Sequence, residues 1–353
     1  GEFLQNKLDL MTLEGKFLKT TLLFLILVLL GCETEDDKKK YFLKVKGYAQ
    51  GSTYSITYSD HLQRDFSYSI DSILHIVDRQ LSTYDSNSFI SLLNKSQDTC
   101  LSLKGKSMFS YCFKISKEIN NKTNGFFNPA VYPLVNYWGF YSDSNPSIDS
   151  LYIKDSLLNY INLKNNFSLS KDSSRTYICK KSKYSKLDFN AVAQGYSVDL
   201  VGDFLKTNGV KNFLVEIGGE LSSYGKNNEN KLWRVGIEKP IDSSFVGEFE
   251  FQKIIELDNQ SLATSGNYRK FKVINGRKFS HSIDPKTGFP ANNNLLSVTV
   301  VCEKAANADA LATSFMVMGK EKAVDFIESN PLDSIFCFMV YDSAKSLKEW
   351  SNF

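Results

Sequence analysis

The run Ala305-Ala306-Asn307-Ala308-Asp309-Ala310-Leu311-Ala312-Thr313 constrains this chain more than any other stretch. Alanine is the strongest helix former and no Gly or Pro interrupts the run, so a helix is predicted over Ala305–Met318. Positions four apart share a helical face, which sets the Asp309 carboxylate beside the Thr313 hydroxyl. Oxygen donors of that kind suit a hard divalent cation. Upstream, His281-Ser282-Ile283-Asp284-Pro285-Lys286-Thr287-Gly288 places one of only three histidines on a turn. An imidazole there can move a proton, and metal plus base is equipment for phosphoryl transfer.

Periodicity supplies the rest of the architecture. Alternation from Tyr41 to Tyr58 predicts two strands around a Gly47–Gly51 bend. Phe66, Ile70, Ile73, Leu74 and Val77 carry helical spacing within Asp65–Leu81, and Ser107–Asn120 reads as a second helix. Residues 126–140 are aromatic and turn-rich, and 141–180 read as a polar insertion with short strands. Strand-like Lys186–Phe189, a helix over Ala191–Thr207 and a buried strand at Asn212–Ile217 form a strand–helix–strand pattern. Strands are predicted at Trp233–Ile237, Phe249–Leu257, Tyr268–Ile274, Lys278–Ile283, Leu296–Cys302 and Ile335–Tyr341, with a helix at Lys320–Ser329. The fold class is α+β or mixed α/β.

A net charge of +3 over 353 residues, without basic clusters among aromatics, argues against nucleic acid as a partner. Setting Cys32 aside leaves Cys100, Cys112, Cys179, Cys302 and Cys337. That count is odd and holds no CxxC pair, so buried thiols are expected rather than a disulfide framework or a zinc site.

Residues 1–31 read as a secretory signal, with Met11 as the natural start. Lys16 and Lys19 precede an apolar run, Thr20–Leu30, shorter than the roughly 20 residues a spanning helix needs. Leu29-Leu30-Gly31-Cys32 resembles the bacterial lipobox, in which the Cys is lipidated. Residues 32–44, rich in Glu, Asp and Lys, read as a flexible tether; acidic residues there also resemble surface-export signals. Residues 45–353 would form the domain. This implies an envelope lipoprotein, periplasm-facing, on either the inner or outer membrane.

Three further segments carry Gly, Asn and aromatic residues that packing does not require: Asn128–Phe140 ending Trp138-Gly139-Phe140, Asp188-Phe189-Asn190-Ala191-Val192-Ala193-Gln194-Gly195-Tyr196-Ser197-Val198-Asp199, and Ala263-Thr264-Ser265-Gly266-Asn267-Tyr268. Together with the His281 and Asp309 blocks, over most of residues 45–340, they closely resemble the ApbE family, the FAD:protein FMN transferases. The resemblance implies β-sheets packed with helices in a T-fold-like arrangement, with FAD in a cleft between the halves. It implies Mg²⁺-dependent transfer of FMN from FAD to a Thr or Ser hydroxyl of an acceptor, with release of AMP. The implied acceptors are flavoprotein subunits of membrane redox complexes or secreted electron carriers. The same site acting on water would be an FAD pyrophosphatase, and a silent one a flavin-binding lipoprotein.

Carried over residue by residue, Asp309 and Thr313 match the family's metal-binding side chains, and Ala191 its backbone carbonyl ligand. His281 matches the family's motif histidine and is the candidate general base, with Asp284 to orient it. Tyr84 falls where the family stacks an aromatic near the isoalloxazine. Gln50, Trp138, Gly139, Phe140, Asp188, Gln194 and Ile283 fall at FAD-contacting positions. Ser265 and Gly266 offer a small-residue loop for close approach to phosphate. Gln194 stands where the family usually has Lys, which removes a cation from the site; Gln50 stands where Met is common.

Overall fold

The alternation that begins at Tyr41 builds β1 (Phe42–Ala49) and β2 (Ser52–Ser59), paired antiparallel. Gln50 and Gly51 join them with φ of 55° and 73°, the two positive angles that a two-residue primed turn requires. The bend is therefore at Gln50–Gly51. Gly47 lies inside β1, where a Cβ would strike the Tyr54 ring. The computed structural model describes residues 41–141, 148–240, 251–267, 271–274, 277–343 and 346–353. The signal segment, Cys32 and the tether as far as residue 40 lie outside the described residues, while Phe42–Lys44, expected as the tether's end, belong to β1 because their alternation pairs with β2. Among those described, no helix is long and apolar enough to cross a membrane.

β3 (Cys100–Ser102), β4 (Phe167–Lys171) and β5 (Thr176–Lys180) form a small sheet of order β3-β5-β4. β6 (Asn212–Ile217) and β7 (Glu220–Tyr224) make a hairpin, and β8 (Trp233–Glu238) and β9 (Phe251–Leu257) a two-stranded ribbon. After β10 (Ser261–Gly266) comes a second ribbon, β11 (Phe271–Ile274) and β12 (Arg277–Ser280). β13 (Leu295–Cys302), β14 (Phe336–Ser343) and β15 (Ser346–Ser351) complete an eight-stranded antiparallel sheet of order β1-β2-β6-β7-β10-β13-β14-β15.

The principal helices are α1 (Ser67–Leu81), α2 (Phe89–Lys95), α3 (Ser107–Lys122), α4 (Tyr132–Tyr137), α5 (Ala193–Thr207), α6 (Ala305–Met318) and α7 (Lys320–Ser329). Ile70, Leu74 and Val77 bury the inner face of α1, as the spacing requires. One face of the large sheet, with Ile56, Phe213, Val298 and Val300, packs on helices. The other, with Leu262, Val301, Phe338 and Val340, is covered by the β8–β9 ribbon. Both faces of β13 are thus buried, Ser297 and Thr299 included, with only Leu296 partly exposed.

Two expectations need correcting. Lys186–Phe189 is not a strand. Asn94 of α2 donates to the Leu187 carbonyl at 2.7 Å and accepts its amide at 2.8 Å. One buried side chain thereby supplies the bonds a neighbouring strand would have made. Cys100 and Cys179 form a disulfide across the β3–β5 pair, while Cys112, Cys302 and Cys337 are buried thiols. The partners are 79 residues apart, and only the strand register brings them opposite each other. A loop of that length makes the cross-link worth about 4 kcal/mol by chain entropy. Replacing both with Ser is expected to lower the unfolding free energy by about 2–4 kcal/mol in urea melts, with dithiothreitol destabilising the wild type and not the variant.

Candidate active site

The site grows from the crossing of α5 and α6. Gly195 lies in the first turn of α5, and a Cβ there would collide with the Ala305 carbonyl, so glycine lets the two helix starts touch. Each helix then places a carboxylate at the other's N-terminus, where unpaired amides and the helix dipole favour a negative charge. Asp309 of α6 accepts the Gly195 amide on Oδ2 at 3.2 Å. Asp199 of α5 accepts the Ala305 and Ala306 amides at 2.9 and 3.0 Å.

Burial pushes Asp309 up to about 7, and the Gly195 amide only partly opposes it. Asp199 is raised to about 6, again by burial, with the two α6 amides pulling down. Asp309 is 6% exposed, and among the described residues no side-chain cation pairs with it. One turn further along α6, the Thr313 hydroxyl shares a hydrogen bond with Ser265 Oγ at 3.1 Å. Ser265 and Gly266 are the end of strand β10, paired with Val298 and Ser297, rather than a loop.

The start of α5 also gathers the β1–β2 and β6–β7 turns. Gln50 Nε2 donates to Ser197 Oγ at 2.5 Å, and its Oε1 is buried without a hydrogen-bond donor among the described residues. Gln194 Nε2 donates to the Ile217 carbonyl at 3.3 Å, and its amide lies over Gly218. The position that loses the family's Lys is thus a neutral tie to that turn.

Ahead of α5, the Asp188 Oδ1 accepts the Asn190 amide at 2.8 Å, and its Oδ2 accepts the Tyr141 hydroxyl. Burial raises the Asp188 carboxyl above its ordinary range, and these two donors hold it back. Tyr84, 73% exposed, meets Tyr141 edge-on at 5.7 Å. Phe140 in turn lies edge-on to His281 at 6.4 Å.

His281 follows β12, between two serines that both reach one side chain: Ser280 and Ser282 donate to Asn267 Oδ1. Asp284 uses Oδ1 for the Lys286 amide at 2.8 Å, and its carbonyl for the Gly288 amide at 2.8 Å. These bonds make it the organiser of the Pro285–Gly288 turn. Trp138 and Ile283 are buried in the principal core, and the Trp138 indole N–H donates to the Gly288 carbonyl at 2.8 Å. Both thereby support the His281 loop from behind. Gly139 is buried at φ 75°.

The sequence assigns no role of their own to Asp199, Asn267 and Tyr141, although Asp199 and Asn267 fall inside marked segments. Asp199 had a signal, since a carboxylate four residues after Gly195 lies on the same face of α5. Asn267 lies in the marked Ala263–Tyr268 segment, and Tyr141, one residue past Phe140, carries no signal of its own.

A model of the ApbE family matches residues 50–336. The chain belongs to the ApbE family. It is 32% identical over 344 residues to an FAD:protein FMN transferase of Vibrio cholerae, covering 93% of this chain and 94% of that protein. A namesake from Escherichia coli K12 is 30% identical over 354 residues, with 96% of each covered. Among solved structures, the apo flavinyl transferase ApbE of Pseudomonas stutzeri superposes with a TM-score of 0.77 at 31% identity, covering 90% of this chain and 96% of that one. The flavin transferase ApbE of Vibrio cholerae gives 0.75 at 30%, covering 88% and 97%. The mixed fold of antiparallel sheets and helices is the family's.

Proposed function

We propose that this chain is an FAD:protein FMN transferase. An acceptor hydroxyl attacks the FMN-side phosphorus of FAD, a new P–O bond forms, the pyrophosphate bridge breaks and AMP leaves with the electron pair. His281 takes the acceptor's proton. The observation that carries this reading is the buried carboxylate of Asp309, set on the α5 N-terminus with the Thr313 and Ser265 hydroxyls one turn away. A carboxylate raised by burial and with no cationic side-chain partner among the described residues, beside hydroxyls, is a donor set fitted to Mg²⁺. Asp309, Thr313 and the Ala191 carbonyl would hold the ion, which supplies neutralisation of charge on the phosphoryl oxygens. The chain's own contribution is position: the α5 amides draw a phosphate toward the helix start, and the helix crossing holds the carboxylate there.

The enzyme works outside the cytoplasm, tethered through Cys32. The Cys100–Cys179 disulfide supports this, because such bonds persist in oxidising compartments. Its acceptors are flavoprotein subunits of membrane redox complexes or secreted electron carriers. The test is incubation with FAD, Mg²⁺ and a Thr-containing acceptor domain, read by mass spectrometry. A covalent FMN adduct with equimolar AMP is expected. Free FMN and AMP without adduct would make the enzyme a pyrophosphatase, and neither product would leave a flavin-binding protein.

A further inference from the structure

Tyr141 lies just past Trp138-Gly139-Phe140. Its ring stacks on Tyr132 with centroids 4.8 Å apart and meets Tyr84 edge-on at 5.7 Å. Its hydroxyl donates to Asp188 Oδ2, and accepts from Asn190 Nδ2 at 3.0 Å and Thr83 Oγ1 at 3.5 Å. Asn190 Nδ2 also reaches Thr83 Oγ1 at 3.3 Å, which closes a ring of three polar side chains with Asp188 attached through the Tyr141 hydroxyl. Both Asp188 oxygens therefore rest on protein donors, one a backbone amide and the other Tyr141. Above this network the Tyr84 ring is 73% exposed. A wide aromatic face beside a fixed carboxylate is chemistry for a planar heterocycle whose N–H or attached hydroxyls need an acceptor.

We propose that Tyr141 is a positioning residue of the donor site: its hydroxyl fixes Asp188 in the orientation that receives the donor nucleotide, and its ring backs Tyr84, on which the donor's planar ring lies. This rests on the transferase reading for the identity of the donor, and no bond to Tyr141 is made or broken. The consequence of losing the hydroxyl follows from burial. Asp188 is raised by desolvation and held down by the Tyr141 and Asn190 donors. Without Tyr141, Oδ2 must find another donor or the carboxylate must turn, and either change removes the acceptor from its place.

The experiment titrates the full chain with FAD, reading quenching of flavin fluorescence without turnover, for wild type, Tyr141→Phe, Asp188→Asn and the double variant. Phe keeps the ring contacts with Tyr84 and Tyr132 and deletes only the hydroxyl. Tyr141→Phe is expected to raise the Kd for FAD about tenfold, the loss of one hydrogen bond to a charged group. The double variant is expected to be no weaker than the weaker single, because both break one link. At saturating FAD, kcat for AMP release should stay near the wild-type value. Unchanged or tighter binding in Tyr141→Phe, or additive losses in the double variant, would overturn the proposal. Should Tyr141→Phe fail to fold, Asn190→Ala serves, since it removes a donor to the Tyr141 hydroxyl from an exposed residue. It should weaken FAD binding at an unchanged melting temperature, and unaltered binding overturns the proposal. A wild type that binds FAD yet releases no AMP to any acceptor would sink the transferase reading and leave the role of Tyr141 standing.

Discussion

Asp309→Asn is expected to cut FMN transfer at least about a hundredfold while making the metal-free protein more stable at pH 8. The loss follows from removing the anion of the proposed Mg²⁺ site, where metal neutralisation contributes several kcal/mol to a phosphoryl-transfer barrier. The gain follows from burial. Asp309 has a folded pKa of about 7 against an ordinary 3.8. Between those values the native state keeps a proton that the unfolded chain has lost, so stability falls as pH rises through that window. Every tenfold difference in proton affinity between the folded and unfolded states is worth about 1.4 kcal/mol, and the full cost is reached above pH 7. Asn keeps the shape and carries no charge. Thermal melts without divalent ions should therefore show the variant ahead of wild type by a margin that widens from pH 5 to pH 8. Added Mg²⁺ should raise the wild-type melting temperature and leave the variant unmoved. A variant less stable than wild type at pH 8 would mean that the carboxylate is already compensated in the metal-free protein, and the site would lose its rationale.

Why this carboxylate could be found from sequence, and its surroundings could not, comes down to the range of the interactions. The bounds of α6, α7 and β6 agree residue for residue with the periodicity, because helix propensity and a buried apolar strand are local signals. The spacing of Asp309 and Thr313 is local too. Strands β7, β10 and β15 escaped notice, since Glu220–Tyr224, Ser261–Gly266 and Ser346–Ser351 are small or polar and owe their state to neighbours in the sheet. The same holds at the site. Ser265 meets Thr313, and Asp199 caps α6, only after β10 and α5 have been packed against it. Trp138 belongs to a segment whose composition resembles a ligand wall, and its fully buried indole also braces Gly288. A motif marks which residues matter and leaves open whether each one touches the ligand or holds another residue that does.

His281→Ala should separate those two roles most sharply. A general base within reach of the acceptor hydroxyl contributes about 10²- to 10⁴-fold to the chemical step, so kcat for adduct formation is expected to fall by that factor. Binding of FAD should change little, because the loop has ties of its own that do not run through the imidazole. Ser280 and Ser282 tie it to Asn267, the Ser282 carbonyl accepts the Ala291 amide at 2.8 Å, and Ile283 bridges Pro290. Rapid-quench measurement of AMP release with FAD and acceptor both saturating reads the chemical step, and flavin fluorescence reads binding in the same preparation. Exogenous imidazole should restore part of the lost rate if the missing function is proton transfer, since a small base can enter the space the side chain leaves. A rise in the Kd for FAD with kcat intact would instead assign His281 to holding the donor. In that case the acceptor's proton must leave by another route, and the nearest alternative chemistry is a phosphate oxygen of the donor itself.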